Sequence, residues 1–93
     1  MFTGLIQEVG SIRSIDWINN GAKVSIASTG CLSKSVIGDS ISINGICSTI
    51  TSISEGVFTV DYLEETLKKT TAKHWSEGEK VNLELGMTPQ SFI

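Results

Sequence analysis

Apolar and polar residues alternate with period two along most of this chain, a pattern that half-buried β-strands produce and helices do not. Val81, Leu83 and Leu85 alternate with Asn82 and Glu84, and Phe58, Val60 and Tyr62 with Thr59 and Asp61. Ile41 and Ile43 alternate with Ser40 and Ser42, and Ala22, Val24 and Ile26 with Lys23 and Ser25. The run from Ile46 to Ile53 is rich in β-branched residues, and a first strand is expected over Leu5 to Ile18. Turn chemistry separates these runs. Asn19-Asn20-Gly21 and Ser54-Glu55-Gly56 are hairpin signals, and Asn44-Gly45 reads as a tight turn or a bulge. Gly38-Asp39 and Gly78-Glu79 each open a strand, in two similar stretches too short to count as a repeat. Six strands spaced about ten residues apart predict an all-β barrel or sandwich, and closure has the advantage of removing strand edges.

One helix is expected among the strands. Asp61 followed by Glu64 fits an N-cap pattern. Glu64 and Glu65 suit the positive end of the helix dipole, and Lys68 and Lys69 the negative end, with Thr70 and Thr71 ending the helix. A second helical turn is expected near Cys31 to Val36.

Ninety-three residues make one domain with a modest core. The net charge of −3, with only Lys68, Lys69 and Lys73 clustered, argues against a nucleic-acid binder. No apolar run has the length of a membrane span, and the first residues lack the features of a secretion signal, so a cytoplasmic location is expected. Cys31 and Cys47 then read as reduced thiols, and with the single His74 they give no metal-ligand spacing. No nucleophilic triad, phosphate loop or metal cluster stands out. What remains is a hydroxyl-rich set of β segments, carrying Ser48, Thr49, Thr51, Thr66 and Thr70, that suits a neutral, planar, polyhydroxylated ligand.

Four segments carry a family resemblance. Met1-Phe2-Thr3-Gly4-Leu5-Ile6-Gln7 is similar to the opening signature of riboflavin synthases. Asn44-Gly45-Ile46-Cys47-Ser48-Thr49-Ile50-Thr51 resembles that family's Asn-Gly-x-Cys-Leu-Thr-Val-Thr strand, with Ser48 where the family usually has Leu. Asp61-Tyr62-Leu63-Glu64-Glu65-Thr66-Leu67 resembles its Asp-x-x-x-Glu-Thr-Leu segment, and Gly78 to Glu84 its Gly-Asp-x-Val-Asn-x-Glu strand. The resemblance implies a six-stranded antiparallel Greek-key barrel with a short helix between the fifth and sixth strands. It places the lumazine-binding barrel over 1–86 and the start of a linker to a second barrel over 87–93.

It also implies a chemistry. The family converts two 6,7-dimethyl-8-ribityllumazine molecules into riboflavin and a ribitylamino-pyrimidinedione, without cofactor or metal. The demand on the protein is positioning, two rings held face to face by two barrels. The implied ligand-binding positions are Gly4, Leu5, Ile6, Cys47, Ser48, Thr49, Asp61, Tyr62, Leu63, Glu64, Glu65 and Thr66. Gly4 to Ile6 and Cys47 to Thr49 would offer main-chain groups to the pyrimidine edge, and Glu65 and Thr66 would hold the ribityl hydroxyls. The resemblance assigns no catalytic residue within this chain. It implies a homo-oligomer, with a dimer expected for the isolated domain and a trimer for the full-length family. A non-enzymatic lumazine or flavin carrier of the same fold is the alternative, and a β-barrel interaction module without a ligand is a third reading. Cys47 reads as a small buried hydrophobe rather than a nucleophile, His74 as a surface residue, and Trp17 and Trp75 as core or rim packing.

Overall fold

The computed structural model describes residues 8–28 and 35–85. Six strands form: β1 (Glu8–Ile18), β2 (Gly21–Ala27), β3 (Ser40–Ile43), β4 (Ile46–Ser54), β5 (Val57–Leu63) and β6 (Lys80–Leu85). They close into an antiparallel barrel in the order β1-β2-β5-β4-β3-β6. β2 lies beside β5, the last strand of the β3–β4–β5 meander, which makes the connection a Greek key. Every strand turns alternate apolar residues inward. Ile12, Val24, Ile26, Ile41, Ile43, Ile50, Phe58, Val60, Val81 and Leu83 fill the interior, all essentially without solvent contact. The expected all-β class, barrel closure and strand positions are all present. Residues 5–7 of the expected first strand, Cys31 to Lys34 of the expected second helical turn, and 87–93 lie outside the described residues. Ser35 and Val36 have no helical structure.

The short helix α1 (Glu64–Lys69) lies between β5 and β6, followed by one 3₁₀ turn over Thr71–His74. Glu64 and Glu65 sit in its first turn and Lys68 and Lys69 in its last. Lys68 approaches Glu64 at 3.4 Å and Lys69 approaches Glu65 at 3.1 Å. Asp61, however, is not the N-cap. The β2–β5 ladder runs on to Gly21↔Leu63, and its rungs hold Asp61 to Leu63 extended. Asp61 faces Lys23 across that ladder at 3.6 Å instead. Leu63 takes the N-cap position with no side-chain cap, and the Asn20 carbonyl accepts from the Glu64 N–H at 2.7 Å. A six-residue helix needs tertiary support. Here buried Leu67, Ala72 and Trp75 join the core. Thr70 links the two turns: its hydroxyl donates to the Thr66 carbonyl and accepts from the Ala72 N–H.

The barrel has an internal two-fold likeness that goes well beyond the paired Gly38-Asp39 and Gly78-Glu79 segments. In Val36 to Asp39, the Asp39 N–H donates to the Val36 carbonyl at 3.0 Å and the Asp39 carboxylate accepts from the Val36 N–H at 3.0 Å. In Ser76 to Glu79, the Glu79 N–H and carboxylate make the same two bonds to Ser76, both at 3.1 Å. Gly38 and Gly78 both take positive φ, 99° and 88°, as the third residue of these turns. The Gly38 N–H donates to Ile50 O and the Ile50 N–H to Asp39 O. Likewise the Gly78 N–H donates to Ile12 O and the Ile12 N–H to Glu79 O. One residue beyond each isoleucine the strand bulges, at Arg13 in β1 and Thr51 in β4. β1, β2 and β3 thus correspond to β4, β5 and β6. The pairs Ser25↔Thr59 and Ile43↔Leu83 each join corresponding residues and lie on the local axis.

Candidate functional site

Between β4 and β5 the ladder stops early. It runs from Ser54↔Val57 to Ile50↔Val60, and among the described residues no rung joins Ile46–Thr49 to Asp61–Leu63. Both stretches remain strand because their other neighbours hold them, β3 for the first and β2 for the second. Main-chain polar groups alternate sides along a strand. Ile50 bonds toward β3, through Gly38 and Asp39, so Thr49 and Cys47 direct their N–H and C=O groups toward β5. Glu64 bonds toward β2, through Asn20, so Leu63 and Asp61 direct theirs toward β4. Ile50↔Val60 is a non-hydrogen-bonded rung, so the Thr49 carbonyl and the Asp61 N–H still belong to it. Beyond that point lies a slot whose two main-chain edges face each other with no further rung.

The side chains follow the same parity. Cys47 and Thr49 are exposed, as are Asp61 and Leu63, while Ser48 and Tyr62 turn into the barrel wall. This corrects the reading of Cys47 as a buried hydrophobe. Ser48 and Ile50 take the inward positions of β4, which leaves the free Cys47 thiol outside. Leu63 is 72% exposed, a large apolar surface beside the slot. Behind the slot, Ser48 Oγ and Tyr62 Oη lie 2.6 Å apart, and Ser48 donates its proton to the Ile46 carbonyl at 3.1 Å. A hydroxyl has one proton, so Tyr62 donates to Ser48. Burial pushes the Tyr62 phenol up to about 12; the Ser48 hydrogen bond pulls the other way, and Cys47 adds a smaller upward push. Trp75 packs edge-on against the Tyr62 ring at 5.9 Å between centroids.

α1 starts directly after Leu63, which brings Glu64, Glu65 and half-buried Thr66 within one helical turn of the slot's end. Gly4, Leu5 and Ile6 lie outside the described residues. The structure thus brings Cys47, Ser48, Thr49 and Asp61 to Thr66 together, and it separates them by role. Cys47, Thr49, Asp61 and Leu63 offer main-chain groups, Ser48 and Tyr62 stand behind them, and Glu64 to Thr66 stand at one end. The resemblance marks Ser48 and Tyr62 as site positions, but their contact with each other and the packing of Trp75 on Tyr62 are not written locally, because they join residues far apart in the chain. Trp17, 57% exposed, lines an open groove of about 420 Å³ with Glu64, Leu67, Lys68 and Lys73. His74 is exposed. Among the described residues no group of His, Cys, Asp or Glu side chains is arranged to hold a metal ion.

The comparisons with known proteins agree on this barrel. Residues 3–86 match the family described as the lumazine binding domain. The chain is 43% identical over 88 residues to the riboflavin synthase of Bacillus amyloliquefaciens, an alignment covering 95% of this chain and 41% of that protein. It is 44% identical over 87 residues to the riboflavin synthase of Actinobacillus pleuropneumoniae, covering 94% of this chain and 40% of that protein. The chain therefore spans about two fifths of the length of these relatives. Among solved structures, LumP complexed with 6,7-dimethyl-8-(1'-D-ribityl) lumazine superposes with a TM-score of 0.86 at 29% identity, covering 92% of this chain and 49% of that one. LumP complexed with riboflavin gives a TM-score of 0.86 at 26% identity, covering 91% and 47%. On its matched segments and its barrel alike, this chain belongs to the lumazine binding domain family.

Proposed function

We propose that this chain binds 6,7-dimethyl-8-ribityllumazine and riboflavin in the β4–β5 slot, as one barrel of a riboflavin synthase. The observation that carries the reading is the pair of unladdered edges formed by Cys47, Thr49, Asp61 and Leu63. A pteridine-type ring presents alternating donors and acceptors along its pyrimidine edge, and strand edges present the same alternation. Leu63 supplies an apolar face for the ring. Glu65 and Thr66 receive the ribityl hydroxyls, and Gly4, Leu5 and Ile6 complete the pyrimidine contacts. The solved neighbours support the ligand class, since their complexes hold a ribityl-lumazine and riboflavin.

In the reaction, a four-carbon unit passes from one lumazine to the other, so two rings must stack in register. One slot holds one ring, and the second comes from another barrel. The reaction needs positioning more than a strong base, because conjugation already acidifies the ring methyl. The isolated chain pairs with a second copy of itself and has weak turnover or none. A cytoplasmic location fits this chemistry, and among the described residues no helix is long and apolar enough to cross a membrane.

Fluorescence titration with riboflavin tests the site. Saturable quenching is expected, and Thr66→Val should weaken it by about 1–3 kcal/mol through a lost hydrogen bond. Absence of saturable binding by folded protein sinks the reading. Incubation with dimethyl-ribityllumazine then separates enzyme from carrier: riboflavin formation supports the synthase, and binding without turnover supports the carrier.

A further inference from the structure

We infer that Ser48 and Tyr62 form a wedge that holds the β4–β5 slot open and fixes its width, which makes them positioning residues for the ligand. The inference rests on the slot reading above for its ligand, but the wedge itself is a property of the free protein. The chain contains its own control. The internal two-fold likeness places Ile12↔Ile26 in β1–β2 where Ile50↔Val60 stands in β4–β5. Two residues before Ile12 is Gly10, and two before Ile50 is Ser48. Two residues after Ile26 is Ser28, and two after Val60 is Tyr62. The corresponding corners therefore carry Gly and Ser in one half, and Ser and Tyr in the other.

The two corners behave differently. Where Gly10 and Ser28 stand, the ladder continues past the isoleucines to Ser11↔Ala27. The strands come so close that a Cβ on Gly10 would lie 2.8 Å from the Ala27 carbonyl oxygen and 2.8 Å from Leu83 Cδ1. Ser28 donates its hydroxyl to the Glu8 carboxylate on β1, so a side-chain bond crosses this corner too, but beside a ladder that is still closed. Where Ser48 and Tyr62 stand, the corresponding rung between Thr49 and Asp61 is missing. There the Tyr62 ring and the Ser48 side chain occupy the inner wall between the strands, joined at 2.6 Å. The run Tyr62 O–H to Ser48 O–H to Ile46 C=O ties a β5 side chain to the β4 main chain just where main-chain rungs cease. A rung would consume the edge groups that a heterocycle needs. A side-chain tether behind them keeps the strands together and leaves those groups free.

The experiment is amide hydrogen exchange on the ligand-free protein, read at Cys47, Thr49 and Leu63. In the wild type these amides exchange fast relative to Ser11 and Ala27. In S48G/Y62V, which removes the wedge, the strands zip and the same amides slow by about tenfold or more, while riboflavin affinity falls by at least as much. Unchanged exchange in folded S48G/Y62V overturns the wedge. If that variant does not fold, Tyr62→Phe decides. It keeps the ring but cuts the tether, so riboflavin binding weakens about fivefold, and Ser48→Ala in the same background adds nothing further. Wild-type affinity in Tyr62→Phe, or losses that multiply in the double variant, overturn the tether. Exchange that behaves as described in a protein that binds no riboflavin leaves the wedge standing and sinks only the ligand reading.

Discussion

Tyr62 Oη lies 2.6 Å from Ser48 Oγ at the level of the barrel where the strands carrying them share no rung. Tyr62 is the chain's only tyrosine, so its ionisation can be followed alone by ultraviolet absorbance. Burial disfavours the phenolate and lifts the folded value to about 12, against 10.0 for a free phenol. The folded state therefore keeps its proton to higher pH than the unfolded state does. Stability from this group is whole below about 10 and drains as pH rises toward 12, by roughly 2–3 kcal/mol at most. The expected titration has its midpoint near 12 in the native protein and near 10 in denaturant. A native midpoint at the unfolded value would show a solvated phenol and contradict the packed Ser48–Tyr62 contact.

Thr49 offers a sharper test of main-chain recognition. Its N–H faces the slot rather than β3, so a proline there costs no β3–β4 rung. Thr49→Pro should keep the barrel, as judged by circular dichroism, yet weaken riboflavin by about tenfold through loss of one donor. Thr49→Ala, which keeps the N–H, should stay within about threefold of wild type. Equal losses in the two variants would move recognition from the main chain to the hydroxyl.

The sequence made the strands plain because their two faces differ so sharply: Val60 and Tyr62 inside, Thr59 and Asp61 outside, with little to confuse the parity. Parity was harder to read in β4. Ser48, Thr49 and Thr51 are all small hydroxyl residues, and Cys47 looks apolar, so nothing local says which of them faces in. That is why the sequence pattern alone places Cys47 in the interior. Asp61 failed as a cap for a different reason. A local capping pattern competed with ladder rungs to β2, and several rungs outweigh one side-chain hydrogen bond. The slot itself was legible only as a set of positions brought together by family resemblance. Its defining property is a missing rung, which depends on residues from two strands and is written in neither alone. The internal likeness was visible in one pair of segments, Gly38 to Ile43 and Gly78 to Leu83, but its bulges and carboxylate bonds appear only in three dimensions.

That likeness predicts matched energetics. Asp39 and Glu79 each close a turn with one exposed hydrogen bond to the main chain. Asp39→Ala and Glu79→Ala should each cost about 0.5–1.5 kcal/mol in urea unfolding, within a few tenths of each other. Phe58, fully buried at the centre, belongs to another class. Phe58→Ala should cost about 3–5 kcal/mol, enough to leave much of so small a domain unfolded. A clear split between Asp39→Ala and Glu79→Ala would mean that the two turns are alike in geometry only.

Leu63 separates binding from stability more cleanly than any other position. At 72% exposure its side chain contributes little to the fold, so Leu63→Asn should shift the unfolding free energy by less than about 0.5 kcal/mol. Its N–H and C=O, which line the slot, are unaltered by the substitution. What changes is the apolar surface that a bound ring would cover. Covering part of a leucine is worth about 1 kcal/mol, so riboflavin affinity should fall roughly fivefold. The measurement is paired, with urea unfolding and fluorescence titration on the same preparation. A loss of stability with unchanged affinity would place Leu63 in the fold rather than at the ligand. Unchanged stability and unchanged affinity together would mean that the ring lies elsewhere along the β4–β5 gap, nearer Cys47 and away from the start of α1.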